Sequence, residues 1–414
     1  MPRLEDVAIL MQQNSDNITF LYPAGGTDWD ALRHMAPLEP FSEGAVAFLS
    51  ALSATLMRDP LTRTMPDVAT FAFFCRKANL ERLRKAHTLT GELRMGRGVL
   101  FHVAPSNVPV NFAYSLVAGI LSGNANVVRV PSKDFPQVAL IVKAIGAVLS
   151  CETDPQGFRN RIALVRYERG GRATDTLSAL CDVRIVWGGD ATIADIRRSP
   201  IPARAFDVTF ADRYSFCAID ATAYLATDQA EKIAEAFYND TYLFDQNACS
   251  APHLVVWRGT AEVVECAKTK FWKALYDYTS RKYELAEVLA VDKLTAFYSQ
   301  AVGMEIRREA GVDNLIWRVE ASALPENIDT YRCKAGYFTE YRVDNLGEIA
   351  HIINRKYQTL AYYGFGQEEL EEFVTAARPS GIDRIVPIGK TTDFALVWDG
   401  YDLIKTLSRI ISIL

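Results

Sequence analysis

Residues 99–109 read Val99-Leu100-Phe101-His102-Val103-Ala104-Pro105-Ser106-Asn107-Val108-Pro109. The first six are apolar apart from His102. They are too few for a helix and are stopped by proline, which is the pattern of a buried strand. Residues 110–121 form an apolar helix, ended by Gly123-Asn124. The same alternation repeats downstream. Strands are expected at 126–130, 162–165 and 183–187, and helices at 135–149, 174–180 and 191–198. Short β-branched strands separated by helices make a parallel sheet covered on both faces. Crossovers of this kind are right-handed, so the sheet closes as a doubly wound α/β layer.

Ligands of such sheets bind beyond the carboxyl ends of the strands. Four turns are expected there: Pro105 to Pro109, Pro131-Ser132-Lys133-Asp134, Glu168-Arg169-Gly170-Gly171 and Gly188-Gly189-Asp190. Three of them carry Gly or Pro with a small polar group directly before a helix, and helix starts of this kind hold phosphates. The G-x-G-x-x-G fingerprint is absent. A Gly-Gly pair can be simply a tight turn; four such turns along one sheet edge favour a nucleotide.

Outward from this block the texture changes on both sides. Residues 1–95 read as a charged, helical preamble, with Arg76, Lys77, Arg82, Arg84 and Lys85 as a solvated face. After Ser199-Pro200-Ile201-Pro202, residues 215–220 are a strand. Asp228-Gln229-Ala230-Glu231 reads as a capping box opening a helix with Ala230, Ile233 and Phe237 on one face, ended at Asn239-Asp240. Residues 254–257 are a buried strand, 261–302 are mostly helical, and 303–365 mix short strands with a helix at 346–355. A helix at 368–377 stops at Pro379 and Gly381; residues 403–414 are a helix or strand with an apolar side. The expected divisions are 1–213, 214–384 and 385–414, the last returning to the first region or to an oligomer interface.

Composition narrows the classes of function. Hydrophobic residues make up 49% and charged residues 23% of 414 positions, and the net charge is −5. These are values of an ordinary globular chain with two or three domains. No basic tract or zinc spacing points to nucleic acid. Seven scattered cysteines, with no C-x-x-C, fit a reducing compartment rather than a disulfide framework. The start, Met1-Pro2-Arg3-Leu4-Glu5-Asp6, has no signal-peptide pattern. The apolar run 138–149 is broken by Lys143 and is too short to span a bilayer. A soluble cytoplasmic protein is expected.

One stretch carries candidate chemistry: Asp245-Gln246-Asn247-Ala248-Cys249-Ser250-Ala251-Pro252-His253. It sets a thiol in a short connection between a helix and a strand. Buried free cysteines are ordinarily small hydrophobes; connections are also where reactive groups are held. A metal site is excluded because Cys249 and His253 have no second pair of ligands nearby. His253 could serve the thiol as a base only in a helical connection, which Pro252 opposes, and His102 sits within a strand. Carbonyl chemistry fits better. A thiol adding to a carbonyl or thioester carbon makes an oxyanion that needs donors. The Asn107 amide, between two prolines, is such a donor, and Asn in that place is equally a good helix cap.

These segments resemble the aldehyde dehydrogenase superfamily. Pro105-Ser106-Asn107-Val108-Pro109 resembles its P-x-N-x-P segment, residues 126–132 its following strand, Gly188-Gly189-Asp190 its Gly-rich turn, and Cys249 its catalytic thiol. Asp245 to Pro252, Tyr357-Gln358-Thr359, Arg384-Ile385-Val386-Pro387-Ile388-Gly389 and Trp398-Asp399-Gly400-Tyr401-Asp402 are similar to the LuxC-like acyl-CoA reductase branch. The resemblance covers roughly residues 95–414. It implies an α/β fold with a Rossmann-like cofactor domain, an α/β catalytic domain and a small oligomerisation extension.

The resemblance further implies that Asn107 and the backbone N–H of Cys249 form an oxyanion hole. Arg129, Ser132 and Lys133 are then expected at the adenosine ribose, Gly188 and Gly189 close to the cofactor, and Ser106 and Glu340 among the cofactor contacts. Two departures shape the expected reaction. The superfamily's Glu-Leu-Gly-Gly base is missing from Phe210-Ala211-Asp212-Arg213-Tyr214-Ser215-Phe216, and Arg129 replaces a lysine. Where NAD-selective members carry a glutamate, this chain has Lys133. The expectation is NADPH-dependent reduction of an acyl-CoA or acyl-carrier thioester to the aldehyde through Cys249, with NADH possible as cofactor. An acyl-activating ligase and a homo-oligomer, dimer or tetramer, are the expected partners. The alternatives are an acyl-phosphate reductase, an aldehyde dehydrogenase, or a catalytically silent nucleotide-binding or assembly partner.

Overall fold

The computed structural model describes residues 18–88, 91–105, 108–150, 157–168 and 172–413. The chain divides into two compact units: residues 1–211 with 401–414, and residues 212–400.

The first unit is built on strands β1 (Thr19–Tyr22), β2 (Arg94–Gly96), β3 (Val99–Val103), β4 (Ala125–Arg129), β5 (Ile162–Arg166), β6 (Val183–Trp187) and β7 (Phe206–Phe210). The main sheet runs β1-β5-β4-β3-β6-β7. All its pairs are parallel except β1 against β5. After β1 at one edge, the parallel part begins at β3, steps outward to β4 and β5, then returns to the other side of β3 for β6 and β7. The order reverses between β3 and β6, where open α/β sheets bind their ligands. Every residue of β3, β4 and β6 is buried, which is why these strands are apolar almost throughout. Burying a side chain such as Phe101 or Val127 contributes roughly 1.5–3 kcal/mol.

His102 occupies the middle of this sheet and is fully buried. Trp187 Nε1 donates to Ser115 Oγ at 3.0 Å, and His102 Nδ1 lies 2.7 Å from the same oxygen. His102 Nε2 lies 3.1 Å from Asn126 Oδ1, whose amide nitrogen donates to the Asn124 carbonyl. The chain of donors fixes a neutral imidazole with its proton on Nε2. Burial pushes its pKa down to about 4. Gly119 makes room for the network, because a Cβ there would come within 1.9 Å of Asn126 Oδ1.

The preamble is not wholly helical. Helices at Glu43–Arg58, Pro66–Phe74 and Lys77–Thr88 are present, but β1 adds an antiparallel edge to the main sheet. β2 pairs instead with Ser408–Ile410, which follows a short helix at Leu403–Leu407.

The second unit carries β8 (Tyr214–Asp220), β9 (Pro252–Arg258), β10 (Ile306–Arg308), β11 (Trp317–Ala321), β12 (Tyr337–Val343), β13 (Tyr357–Tyr363) and β14 (Arg384–Pro387). Their order is β10-β11-β12-β9-β8-β13-β14. Only the β10–β11 pair is antiparallel. Side chains alternate between two buried faces. Phe216, Leu254 and Val256 join Ile349, Leu370 and Phe373 on one side. Cys217, Val255 and Trp257 join Phe237, Phe271 and Trp272 on the other.

Three local expectations need correction. The helix Ala230–Thr241 has no side-chain cap, so Asp228 and Glu231 form no capping box; the Gln229 amide donates to Thr227 Oγ1 instead. The helix also runs past Asp240 into a 3-10 turn, Tyr242–Phe244. A capping box does occur at Asn345 and Glu348, opening Leu346–Ile352, which is 3-10 rather than α.

The helix Glu287–Gly303 packs Ala296 and Phe297 against Trp317, Val319 and Tyr337. Its two buried residues are polar: Lys293, whose ammonium donates to the carbonyls of Asn314 and Leu315, and Gln300, which bridges Thr339 and Tyr337. Val288, Val291, Leu294, Tyr298 and Val302 point outward, Val302 at 91% exposure.

Candidate active site

Cys249 lies just before β9, so the thiol sits at the amino ends of the parallel strands in its unit. Gln246 shapes this place. Asp245 and Gln246 both have left-handed backbone, φ 51° and 59°, which turns the chain sharply after the 3-10 turn. The Gln246 side chain is buried. Its Nε2 donates to the carbonyls of Pro252 at 2.8 Å and Tyr337 at 3.1 Å. Its Oε1 accepts from the amides of Gly336 at 2.9 Å and Tyr337 at 3.1 Å. One side chain therefore satisfies the backbone groups at the starts of β9 and β12, where the ladder has none to offer. Ser215 Oγ, from β8, donates to the Cys249 carbonyl at 2.8 Å and accepts from the Thr359 amide at 3.1 Å.

Cys249 is half-buried. Gln358 Nε2, near the start of β13, donates to its Sγ at 3.3 Å and also to Asp399 Oδ1. Gln358 Oε1 accepts from Thr359 Oγ1 at 3.2 Å. Asp399 has left-handed backbone, φ 49°, and is buried. Burial pushes the Cys249 thiol up to about 11, with Asp399 adding to the rise, while Gln358, Arg213 and its own amide oppose it. Burial also raises the Asp399 carboxyl, against Arg213, Gln358 and Arg384.

Two arginines frame the cluster. Arg213 pairs with Asp383 and donates to the Tyr357 carbonyl at 3.0 Å. Arg384 lies over the Trp398 ring at 4.2 Å and donates to the carbonyls of Thr391 and Asp393 at 3.0 Å. Asp240 also holds this loop, accepting from the amides of Gly389 at 2.6 Å and Thr391 at 3.1 Å.

Neither histidine raised as a base serves the thiol. His102 belongs to the core of the other unit. His253 lies within β9, stacked on Tyr214, with Nδ1 3.1 Å from the Cys333 carbonyl. Burial, with Arg332 adding, pushes it down to about 3. Asp212 is 2.5 Å from Arg332 Nη2. Among the described residues no cluster of His, Cys, Asp and Glu could hold a metal.

The expected cofactor residues belong to the first unit. Arg129 closes β4 and is buried over the Tyr167 ring at 4.8 Å; its Nη2 lies 3.3 Å from Ser132 Oγ and from the Tyr167 carbonyl. Ser132 and Lys133 are exposed, Lys133 with its ammonium 5.2 Å from the Phe135 ring centroid. Gly188 and Gly189 follow β6 beside the reversal point. The Gly188 amide donates to the Phe210 carbonyl at 3.1 Å, and a Cβ on Gly189 would meet nothing. Ser106, Asn107 and the 169–171 turn lie outside the described residues.

Glu340 is misplaced in the cofactor set. It is fully buried, with Oε1 accepting from Trp257 and Trp272 at 2.9 and 2.7 Å and Oε2 from Arg318 at 2.8 Å. Both oxygens accept from core side chains and none of the residue is exposed, so no face is open to a ligand.

Sequence reasoning named no role for Gln246, Gln358, Asp399 or Arg384. All four stood within the segments carrying the family likeness. Polar residues that interrupt apolar strands, as Gln358 does, were the available signal.

Among the described residues no helix is long and apolar enough to cross a membrane. Solved structures similar to this chain share its fold. Aldehyde dehydrogenase 21 from Physcomitrella patens, in complex with the reaction product succinate, superposes with a TM-score of 0.64 at 13% identity, covering 92% of this chain and 88% of that one. The 1-pyrroline-5-carboxylate dehydrogenase from Thermus with bound NAD gives 0.62 at 13% identity, covering 92% and 82%. Among curated proteins, the long-chain acyl-protein thioester reductase of Vibrio harveyi is 24% identical over 326 residues, 76% of this chain and 63% of that protein. Its counterpart from Photorhabdus luminescens is 22% identical over the same shares. The chain thus spans 63% of the length of the curated relatives it matches. The family model for acyl-CoA reductase (LuxC) matches residues 22–410. With this match over nearly the whole length, on an aldehyde-dehydrogenase-like α/β fold, the chain belongs to the acyl-CoA reductase (LuxC) family.

Proposed function

We propose that this chain reduces an acyl thioester, on CoA or an acyl carrier, to the aldehyde, using Cys249 as nucleophile and NADPH as cofactor. The observation that carries the reading is the half-buried thiol with Gln358 Nε2 at 3.3 Å from its sulfur. The names of the curated relatives support a long-chain acyl group.

The Cys249 sulfur attacks the thioester carbon, a C–S bond forms, and the substrate's thiol leaves with its proton. A nicotinamide nucleotide, when bound, would supply hydride to the carbonyl carbon of the acyl-enzyme, which Cys249 would hold as a thiohemiacetal. The C–S bond then breaks, the carbonyl re-forms, and Cys249 is released. Asn107 and the Cys249 amide are the proposed oxyanion donors. The described first unit fits the cofactor: its strand order reverses between β3 and β6, and Gly189 leaves the backbone open to close approach. Arg129, Ser132 and Lys133 are the proposed ribose and phosphate contacts. No Glu stands at 210–216, which fits a reductase whose acyl-enzyme resists water.

The outward apolar stripe on Glu287–Gly303 supports a homo-oligomer or a docked acyl-activating ligase, because contiguous exposed apolar surface marks an interaction site. A cytoplasmic location is proposed from the scattered free cysteines.

The test is acyl-enzyme trapping. Incubation with a long-chain acyl-CoA without NADPH should add one acyl mass to the peptide holding Cys249. NADPH should then discharge it as aldehyde. Cys249→Ala should lose both; retained reduction in that variant overturns the mechanism.

A further inference from the structure

We propose that Gln358 is a catalytic hydrogen-bond donor to the Cys249 sulfur, and that Asp399 is the positioning residue that fixes its amide. This rests on the reading of Cys249 as nucleophile. The direction of the amide follows from chemistry. Asp399 presents a carboxylate oxygen, an acceptor, so Gln358 must turn its –NH₂ toward it. Thr359 Oγ1 donates to the opposite oxygen. The second amide hydrogen then meets Cys249 Sγ. Asp399 is held in turn by its left-handed backbone and by its place after Trp398, which Arg384 covers.

A donor on sulfur matters where charge appears there. In the last step the thiohemiacetal oxyanion re-forms the carbonyl, the C–S bond breaks, and its electron pair goes to Sγ. Cys249 leaves as a thiolate and later takes a proton from solvent. A hydrogen bond to the charged sulfur is stronger than one to the neutral thioether-like sulfur, so Gln358 stabilises the product side of bond breaking. The nearby Asp399 charge acts oppositely and keeps the resting thiol protonated. The charged groups acting on this cluster are Asp399, Asp383, Arg213 and Arg384.

The two partners therefore push the thiol in opposite directions, and that distinguishes the proposal from a structural role. The experiment is the rate of Cys249 alkylation by iodoacetamide between pH 7 and 10, read by mass spectrometry of its peptide. Asp399→Asn should speed alkylation at fixed pH. Gln358→Leu and the unbranched Gln358→Met should slow it. A shift of one pH unit in the thiol's midpoint changes its thiolate fraction about tenfold below the midpoint. Loosening of the fold would expose the thiol and speed alkylation in every variant, so faster or unchanged alkylation in both Gln358 variants overturns the proposal. An unchanged rate in Asp399→Asn overturns the role of Asp399. If alkylation follows the expected signs but no acyl mass appears on Cys249, the function proposed above fails while the assigned hydrogen bonds stand.

Discussion

Gln246 reaches across the turn to Pro252, with its amide nitrogen 2.8 Å from the Pro252 carbonyl. The link ties the two ends of the segment that presents the thiol. Gln246→Leu keeps the volume but orphans the buried amides of Gly336 and Tyr337. Each orphaned group costs about 1–3 kcal/mol. The expected loss is about 2–6 kcal/mol in urea unfolding of the second unit, using the same net range for two groups. A change under about 0.5 kcal/mol, typical of a surface site, would show that the four bonds are not made in solution.

The thiol is expected to be slow at neutral pH. With its pKa pushed up to about 11, alkylation of Cys249 should climb about tenfold per pH unit from 7 to 10, because the thiolate is the reactive form. A plateau below pH 8.5 would mean a thiolate already formed by some group not seen in this cluster.

Cofactor choice should follow the end of β4. A 2′-phosphate needs cationic donors there, whereas a carboxylate would hydrogen-bond a free 2′-hydroxyl and repel the phosphate. Arg129 is already committed to Ser132 and the Tyr167 carbonyl, while Lys133 stands exposed. Lys133→Glu should therefore shift the ratio of kcat/KM for NADPH over NADH downward, by roughly tenfold or more for the loss of a charge-assisted bond of about 1.5–3 kcal/mol. An unchanged ratio removes Lys133 from the site.

His102 gives the first unit an acid sensitivity. Its folded pKa, about 4, lies below the ordinary 6.5. Between those values the unfolded chain binds a proton that the folded one refuses. Its contribution is complete above pH 6.5 and lost as pH falls toward 4, a change of about 3 kcal/mol. His253 has the same sign in the second unit; Asp240, raised to about 6 by burial, has the opposite one. His102→Gln should flatten the fall in stability between pH 6.5 and 4. A slope equal to that of the unaltered protein would show that the imidazole is protonated in the fold.

The stripe on Glu287–Gly303 predicts a covered surface. Leu294→Asp, at its middle, should lower the mass seen by light scattering without changing the circular dichroism spectrum. An unaltered mass would mean that the stripe is bare in the free protein.

The sheet of the first unit was legible because its strands are buried on both faces and so read as unbroken apolar runs. β7 was not, since Asp207 and Thr209 interrupt it just after a proline-rich stretch. β1 was hidden for a different reason: its place is set by pairing with β5, far along the chain. At the site, Cys249 was visible because it stands in a short connection between a helix and a strand, within a segment carrying the family likeness. Gln358 and Asp399 were not, because they lie 41 residues apart and only the fold joins them. The failed capping box had suitable residues at 228 and 231, yet the helix starts one position later than that box requires. Glu340 was placed among the cofactor contacts by the family likeness alone; the donors that hold it in the core come from three other elements.

The pairing of β2 with Ser408–Ile410 sets an order of events during synthesis. Arg94 Nε donates to Ser408 Oγ at 2.8 Å across 314 positions. On a ribosome, residues 212–400 emerge before the strand that β2 requires. The second unit is synthesised whole while β2 in the first still lacks its partner strand. Domains fold as they emerge, and unpaired strand edges invite aggregation. A chain truncated after residue 400 should hold a folded thiol-bearing unit and a first unit whose six-stranded sheet has all its strands, while β2, in its separate two-stranded ribbon, stands unpaired.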